Sequence, residues 1–167
     1  MTHRDPSQPN RPPRFDSPAQ EAYLRLWRLY DRLKLIEDEL FAAHGLSSQQ
    51  YNTLRLLKAV LPGSMGTLEL ASRLISRAPD ITRLVNKLES RGLVERRPDP
   101  ADGRAVRIML TPRGAGILAS LAAPLAEVHS RQLGHMPPGD LAELIRLTRA
   151  AGSPHEPEGS LWRPEDA

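Results

Sequence analysis

Cysteine is absent from all 167 residues. That excludes disulfides, thiolate zinc sites and thiol-based redox sensing for this chain. Aromatic residues make up only 4%, so a core has to be built mainly from Leu, Ala, Val and Ile. Long apolar runs are missing as well. Uncharged stretches such as Ile117 to Ala126 fall well short of the ~20 residues that span a bilayer. The opening MTHRDPSQPNRPPRFDSP has no apolar segment of the kind a secretory signal needs, and a cytoplasmic protein is expected. Catalytic spacings are lacking too. The chain has no glycine-rich phosphate loop and no nucleophile elbow, and its histidines (3, 44, 129, 135 and 155) form no i, i+4 pair. An enzyme, a resident cofactor and a metal site are therefore not expected, and the histidines are read as surface or capping residues rather than as a zinc site built on His44 and His129.

What is present is uneven in charge. The formal balance is +3, but Thr67–Arg113 holds ten Arg and Lys against six Asp and Glu, leaving that segment at +4 and the rest at −1. A basic concentration of this kind suits a polyanion, because cations that neutralise phosphates release counterions. A solvated basic face would look the same in composition alone.

In chain order, residues 1–16 are polar and carry prolines at 6, 9, 12 and 13. They bury too little apolar surface to offset the entropy of ordering, and read as a disordered arm. Ser17-Pro18 then starts a helix, Ser as N-cap and Pro at the first position, running to about Ala43. Its apolar residues, among them Leu24, Trp27, Leu33, Leu35, Ile36, Leu40 and Phe41, spread beyond one stripe, which predicts packing on two surfaces. Gly45 closes it, and Ser47-x-x-Gln50 is a capping box for a second helix to about Val60, with Tyr51, Leu54, Leu57 and Leu61 on its buried face. Pro62-Gly63-Ser64 stops that helix.

Two short helices follow. Thr67 is placed to cap the first, whose Leu70, Ala71, Leu74 and Ile75 face a core until about Ser76. Pro79 fits the first turn of the next, with Ile81, Leu84, Val85 and Leu88 facing inward. The opposite face carries Pro79, Thr82, Arg83, Asn86 and Ser90, with Lys87 at its margin and Arg77 in the preceding turn. Arginine pairs with guanine and asparagine with adenine in the major groove, which admits one helix; a plain solvent-facing surface is the alternative. After Gly92, residues 93–97 and 104–110 read as strands joined by Pro98-Asp99-Pro100-Ala101-Asp102-Gly103. The hairpin places arginines at base and tip, Arg104 and Arg107 among them, where a side chain can enter a minor groove.

Thr111-Pro112 starts a long apolar helix through Ile117, Leu118, Leu121, Leu125 and Val128 to about Leu133, which Pro124 should kink or split. Pro137-Pro138 starts a last helix ending at Gly152, with Leu141, Leu144, Ile145 and Thr148 inward, and 152–167 form an acidic loose tail in which Leu161-Trp162 can dock. The first helix and the last two have more apolar surface than a small winged lobe covers. That predicts a dimer, whose two-fold symmetry would place two reading helices about 34 Å apart.

Four stretches together resemble the MarR (multiple antibiotic resistance regulator) family over roughly residues 20–150. They are Glu69-Leu70-Ala71-x-x-Leu74, then Thr82-Arg83-Leu84-Val85-x-x-Leu88-Glu89-x-x-Gly92-Leu93-Val94, then Asp99-Pro100-x-Asp102-x-Arg104, and finally Leu110-Thr111-Pro112-x-Gly114. The resemblance implies a mainly α fold with a small β-hairpin wing. Its winged helix-turn-helix lobe would span about 47–111 and its dimerisation helices about 17–44 and 112–151. It further implies a homodimer on a pseudo-palindromic double-stranded DNA operator, usually a repressor, with Arg77, Pro79, Thr82, Arg83, Asn86, Lys87, Arg104 and Arg107 at the DNA. Asp102 would support the wing by orienting an arginine, and a small aromatic effector would meet Trp27 and Tyr51. The sequence departs from the pattern in two places, a glycine-free turn at Leu74-Ile75-Ser76-Arg77 and the proline at 124. A winged module without an inducer, or one used only for protein contacts, is the other reading.

Overall fold

The computed structural model describes residues 13–75, 80–100, 102, 105–158, 160 and 162–163. Contacts divide the chain into two compact units, one ending at Leu35 and one starting at Ile36. Among the described residues no helix is long and apolar enough to cross a membrane.

The first unit is most of helix α1 (Pro18–Ala43) with its lead-in. Ser17 caps it as the sequence predicts, its Oγ accepting from the Gln20 amide at 3.1 Å. Asp16 and Gln20 exchange two further bonds, and Arg25 pairs with Glu21 while lying over the Phe15 ring. Among the described residues the two-sided packing expected of α1 is not made. Phe41 is the one residue of the helix that is buried, and Tyr23, Trp27 and Tyr30 are each about 60% exposed.

In the second unit the end of α1 forms a full C-terminal turn. Gly45 adopts φ +66°, the Gly45 amide bonds to the Ala42 carbonyl and the Leu46 amide reaches back to Phe41. A left-handed residue there favours glycine. The reciprocal Ser47–Gln50 capping box then opens helix α2 (Ser48–Ala59), and Ser48 Oγ donates to the Asp38 carboxylate. Leu54 and Leu57 are fully buried. Leu61, expected beside them, is exposed, because the helix stops at Ala59 and its periodicity no longer places residue 61.

Strand β1 (Met65–Gly66) was not foreseen. Helix α3 (Thr67–Arg73) starts from Gly66, so Thr67 is its first residue and not its cap. The Glu69 carboxylate accepts from the Gly66 amide at 3.4 Å and pairs with Arg73. The helix also ends earlier than predicted. Leu74 is already extended and stays buried, whereas Ile75 turns out to solvent. Helix α4 (Ile81–Glu89) follows and ends on Gly92 at φ +66°.

Strands β2 (Val94–Pro98) and β3 (Val106–Leu110) form the hairpin, with Val94 opposite Leu110 and Pro98 opposite Val106. β1 pairs with the other edge of β3, Met65 opposite Ile108, giving an antiparallel sheet of order β1-β3-β2. Met65, Leu70, Val85, Leu88, Leu93 and Ile108 close the core between sheet and helices. Burying each large side chain is worth about 1.5–3 kcal/mol.

Helix α5 (Pro112–Leu133) is capped by Thr111 Oγ1, which accepts from the Gly114 amide. A Cβ on Gly114 would lie 2.2 Å from the Leu93 carbonyl oxygen, so the helix can approach the strand only with glycine there. α5 runs through Pro124 without splitting, and Leu121, Leu125 and Val128 on either side of the proline are buried. Among the described residues helix α6 (Pro138–Gly152) has none that is buried. Leu141 and Leu144 are half-buried, and Ile145 and Thr148 are exposed rather than inward. A 3-10 turn at Ser153–His155 continues from α6, Ser160 Oγ bonds both the Glu156 carboxylate and the Trp162 amide, and Trp162 lines a cleft of about 650 Å³ with Ile145, Thr148 and Arg149. Leu161 lies outside the described residues.

Candidate nucleic-acid interface

Helix α4 is strongly two-sided. Leu84, Val85 and Leu88 are buried and Ile81 packs partly against the core, so the period of the helix forces Thr82, Arg83, Asn86, Lys87 and Ser90 to the outside, and all five are exposed. Asp80 fixes the helix start, its Oδ1 accepting from the Arg83 amide at 2.8 Å. An Asp ahead of an apolar-periodic run is itself an N-cap signal, and weighing it would have moved the predicted start from Pro79 to Ile81. Pro79, Arg77 and Arg104 lie outside the described residues.

Arg83 and Lys87 form no ion pair among the described residues, and both line a shallow cleft of about 370 Å³ facing the N-terminal end of α2, with Ser47, Gln49 and Gln50. The helix dipole and two unpaired cations make that rim attractive to anions. The remaining arginines behave differently. Arg96 pairs with Glu89 at 2.5 Å, its amide also donates to that carboxylate, and its other nitrogen reaches the Thr82 carbonyl. It binds β2 to α4. Arg97 pairs with Glu95.

Arg107, expected at the DNA, is half-buried and bonded at every side of its fork. Its Nε donates to Ser64 Oγ at 2.7 Å, one terminal nitrogen donates to the Ser64 carbonyl, and the other meets the Asp99 carboxylate at 3.4 Å. The structure therefore gives Arg107 a bracing role, holding the hairpin to the segment that precedes β1. Asp102 closes the turn through its backbone, its carbonyl accepting from the Ala105 amide while the Asp99 amide donates to the Ala105 carbonyl.

The two aromatic residues proposed for an effector stand in separate units. Trp27 lies 5.9 Å from Tyr23, ring to ring. Tyr51 stacks on Phe41 at 4.5 Å, and burial holds its phenol above the ordinary value, with Arg55 lowering it and Glu37 raising it further. His129 lies 3.4 Å from Glu37 and His44 Nδ1 lies 3.0 Å from the Leu40 carbonyl. Among the described residues no three His, Asp or Glu stand together as a metal site.

Comparison with known proteins bears on this arrangement. The profile of the MarR family matches residues 46–106, from just ahead of α2 to the start of β3. A MarR transcription factor from Planctomyces limnophilus, known as a crystal structure, is 53% identical, covering 82% of this chain and 99% of that one with a TM-score of 0.64. The chain belongs to the MarR family. MarR-family proteins are transcription regulators, not enzymes. The transcriptional repressor MprA of Escherichia coli K12 is 30% identical over 111 residues, 65% of this chain and 63% of MprA. The chain thus spans just under two thirds of that relative's length. Sco3205, a MarR family transcriptional regulator from Streptomyces coelicolor in a crystal structure with DNA, is 20% identical with a TM-score of 0.78 over 92% of this chain and 98% of that one. At that identity it shares the MarR fold.

Proposed function

We propose that the protein is a homodimeric, sequence-specific regulator of transcription that binds an approximately palindromic double-stranded DNA operator as a repressor and is released by a small aromatic effector. The observation that carries the DNA reading is the exposed α4 row of Thr82, Arg83, Asn86 and Lys87, held on a buried Leu84/Val85/Leu88 face and capped by Asp80. In this reading residues 47–111 form the DNA-binding lobe, α4 enters the major groove, and Arg104 on the wing meets the minor groove or a phosphate. Arg77 and Pro79 border the groove, Asp102 supports the wing, and Arg107 acts through its brace. Residues 17–44 and 112–151 supply the dimer contacts. Sco3205 is crystallised with DNA and MprA is a repressor, which supports the reading by kinship. The effector assignment rests on Trp27 and Tyr51. A regulator without an inducer is the second reading, favoured by the Tyr51 ring being stacked on Phe41 already.

Selection of bound fragments from source genomic DNA, followed by fluorescence anisotropy on the selected site, tests this. Arg83→Ala is expected to relax base preference at one position of each half-site, by about 1–3 kcal/mol. Arg104→Ala is expected to weaken binding, with the salt slope lowered by about one if it neutralises a phosphate. Absence of any preferred sequence for the wild type defeats the proposal.

A further inference from the structure

Helix α1 has no basic residue in its last turn, where a cation would meet the negative end of the helix dipole. Three of its last four carbonyls nevertheless have partners. Phe41 and Ala42 accept from Leu46 and Gly45, and Leu40 lies against His44 Nδ1. The His44 and Gly45 carbonyls accept from the two terminal nitrogens of one side chain, Arg91, 47 and 46 residues further along. Gly45 sits close beneath that guanidinium, where an added Cβ would come within 3.3 Å of it.

Arg91 is itself held to α4. It directly precedes Gly92, whose amide bonds Glu89 at 2.7 Å while the Leu93 amide bonds Leu88 at 3.0 Å, and Leu93 is fully buried. Two glycine-terminated helix ends, at Gly45 and Gly92, are therefore bridged by one planar, always-charged fork. Arginine suits this because its donors lie in a fixed plane and match two acceptors at once. Although it sits in the basic central stretch, its charge is directed at the end of α1.

We propose that Arg91 is the joint fixing the reading helix α4 to the end of α1, and that it thereby sets the spacing at which the two half-sites of a bound DNA are read. The inference rests on the dimeric DNA-binding reading above. Arg91 is a positioning residue, acting through α4 and touching no base.

The test uses the full-length protein, wild type, Arg91→Ala and Arg91→Lys, and duplexes carrying the selected half-sites at the native spacing or with one or two base pairs added or removed. Anisotropy is followed at several salt concentrations. Arg91→Ala is expected to bind the native spacing roughly tenfold more weakly, the scale of one lost charge-assisted contact. It should lose less on altered spacings, so that the preference flattens, and keep the wild-type salt slope. Arg91→Lys, with a cation but no planar fork, should recover part of the preference, and it carries the comparison alone if the alanine variant does not fold. A wild-type spacing profile, an equal loss at every spacing, or a salt slope reduced by about one, the mark of a phosphate contact, overturns the inference. A wild type with no preferred duplex removes the regulator reading and this inference with it, whereas a wild type that binds a preferred site while the variants match it removes the inference alone.

Discussion

Tyr51 makes a measurable statement about pH. Burial holds its phenol above the ordinary value of 10.0, so the neutral form is favoured in the folded protein. The sign follows from linkage. A raised folded-state value contributes stability that is complete below the unfolded pKa and lost as pH rises through the folded one. Denaturant melts across the alkaline range, from about pH 9 to about pH 11, should show stability falling more steeply for wild type than for Tyr51→Phe; parallel curves would remove the assignment. At this scale the sequence is informative about direction and poor on partnership. The period of α4 was enough to send Arg83 and Asn86 outward and Leu84 and Leu88 inward. It did not reveal that Arg107 is bonded to Ser64, 43 residues away, or that Arg96 holds Glu89, because an arginine reads alike whether it faces a phosphate or a carbonyl. The arginines left exposed and the bracing ones separate only when the fold brings distant residues together.

Among the elements, α5 offers the clearest test. Pro124 sits inside it with no amide to donate, in a helix whose flanking Leu121 and Leu125 are buried. Interior proline costs on the order of 3 kcal/mol relative to alanine. Pro124→Ala is therefore expected to raise thermal stability, read as a higher Tm, and an unchanged or lower Tm would mean that the chain around residue 124 is shaped to the proline. Element boundaries were legible where a side chain closes an orphan amide: Ser17, Ser47 with Gln50, and Thr111 cap as expected. They were missed where the ending depends on tertiary packing. Arg73 ends α3 because the chain turns extended at Leu74, with the leucine still in the core. Strand β1 has two residues and no alternation to detect, and exists because Met65 fits opposite Ile108.

The described residues together leave much apolar surface uncovered. On α1 Tyr23, Trp27 and Tyr30 are exposed, and on α6 so are Ile145 and Leu147. Exposed apolar side chains gathered on a helix in this way mark association surfaces, and the proposed homodimer would bury them. Sedimentation should find the wild type dimeric at micromolar concentration and a Tyr23→Asp/Trp27→Asp variant monomeric with its helix content kept. A monomeric wild type would end the dimer proposal, and a dimer that survives both substitutions would move the interface off this face. The misreading of α6 as inward-facing has the same origin. Its period did mark an apolar stripe at Leu141, Leu144 and Ile145, but periodicity says which residues seek cover, not whether the same chain provides it.

The small strand β1 clamps the wing at its root. At the root, β3 is flanked on both sides, by Met65–Gly66 and by β2, and Arg107 pins that root to Ser64. Beyond the Pro98–Val106 pair the ladder ends and the turn is closed by the Asp99–Ala105 and Asp102–Ala105 backbone bonds. Such a hairpin is a beam built into its wall: load on β2 or β3 passes through the Arg107 and Arg96 ties into the segment before β1 and into α4.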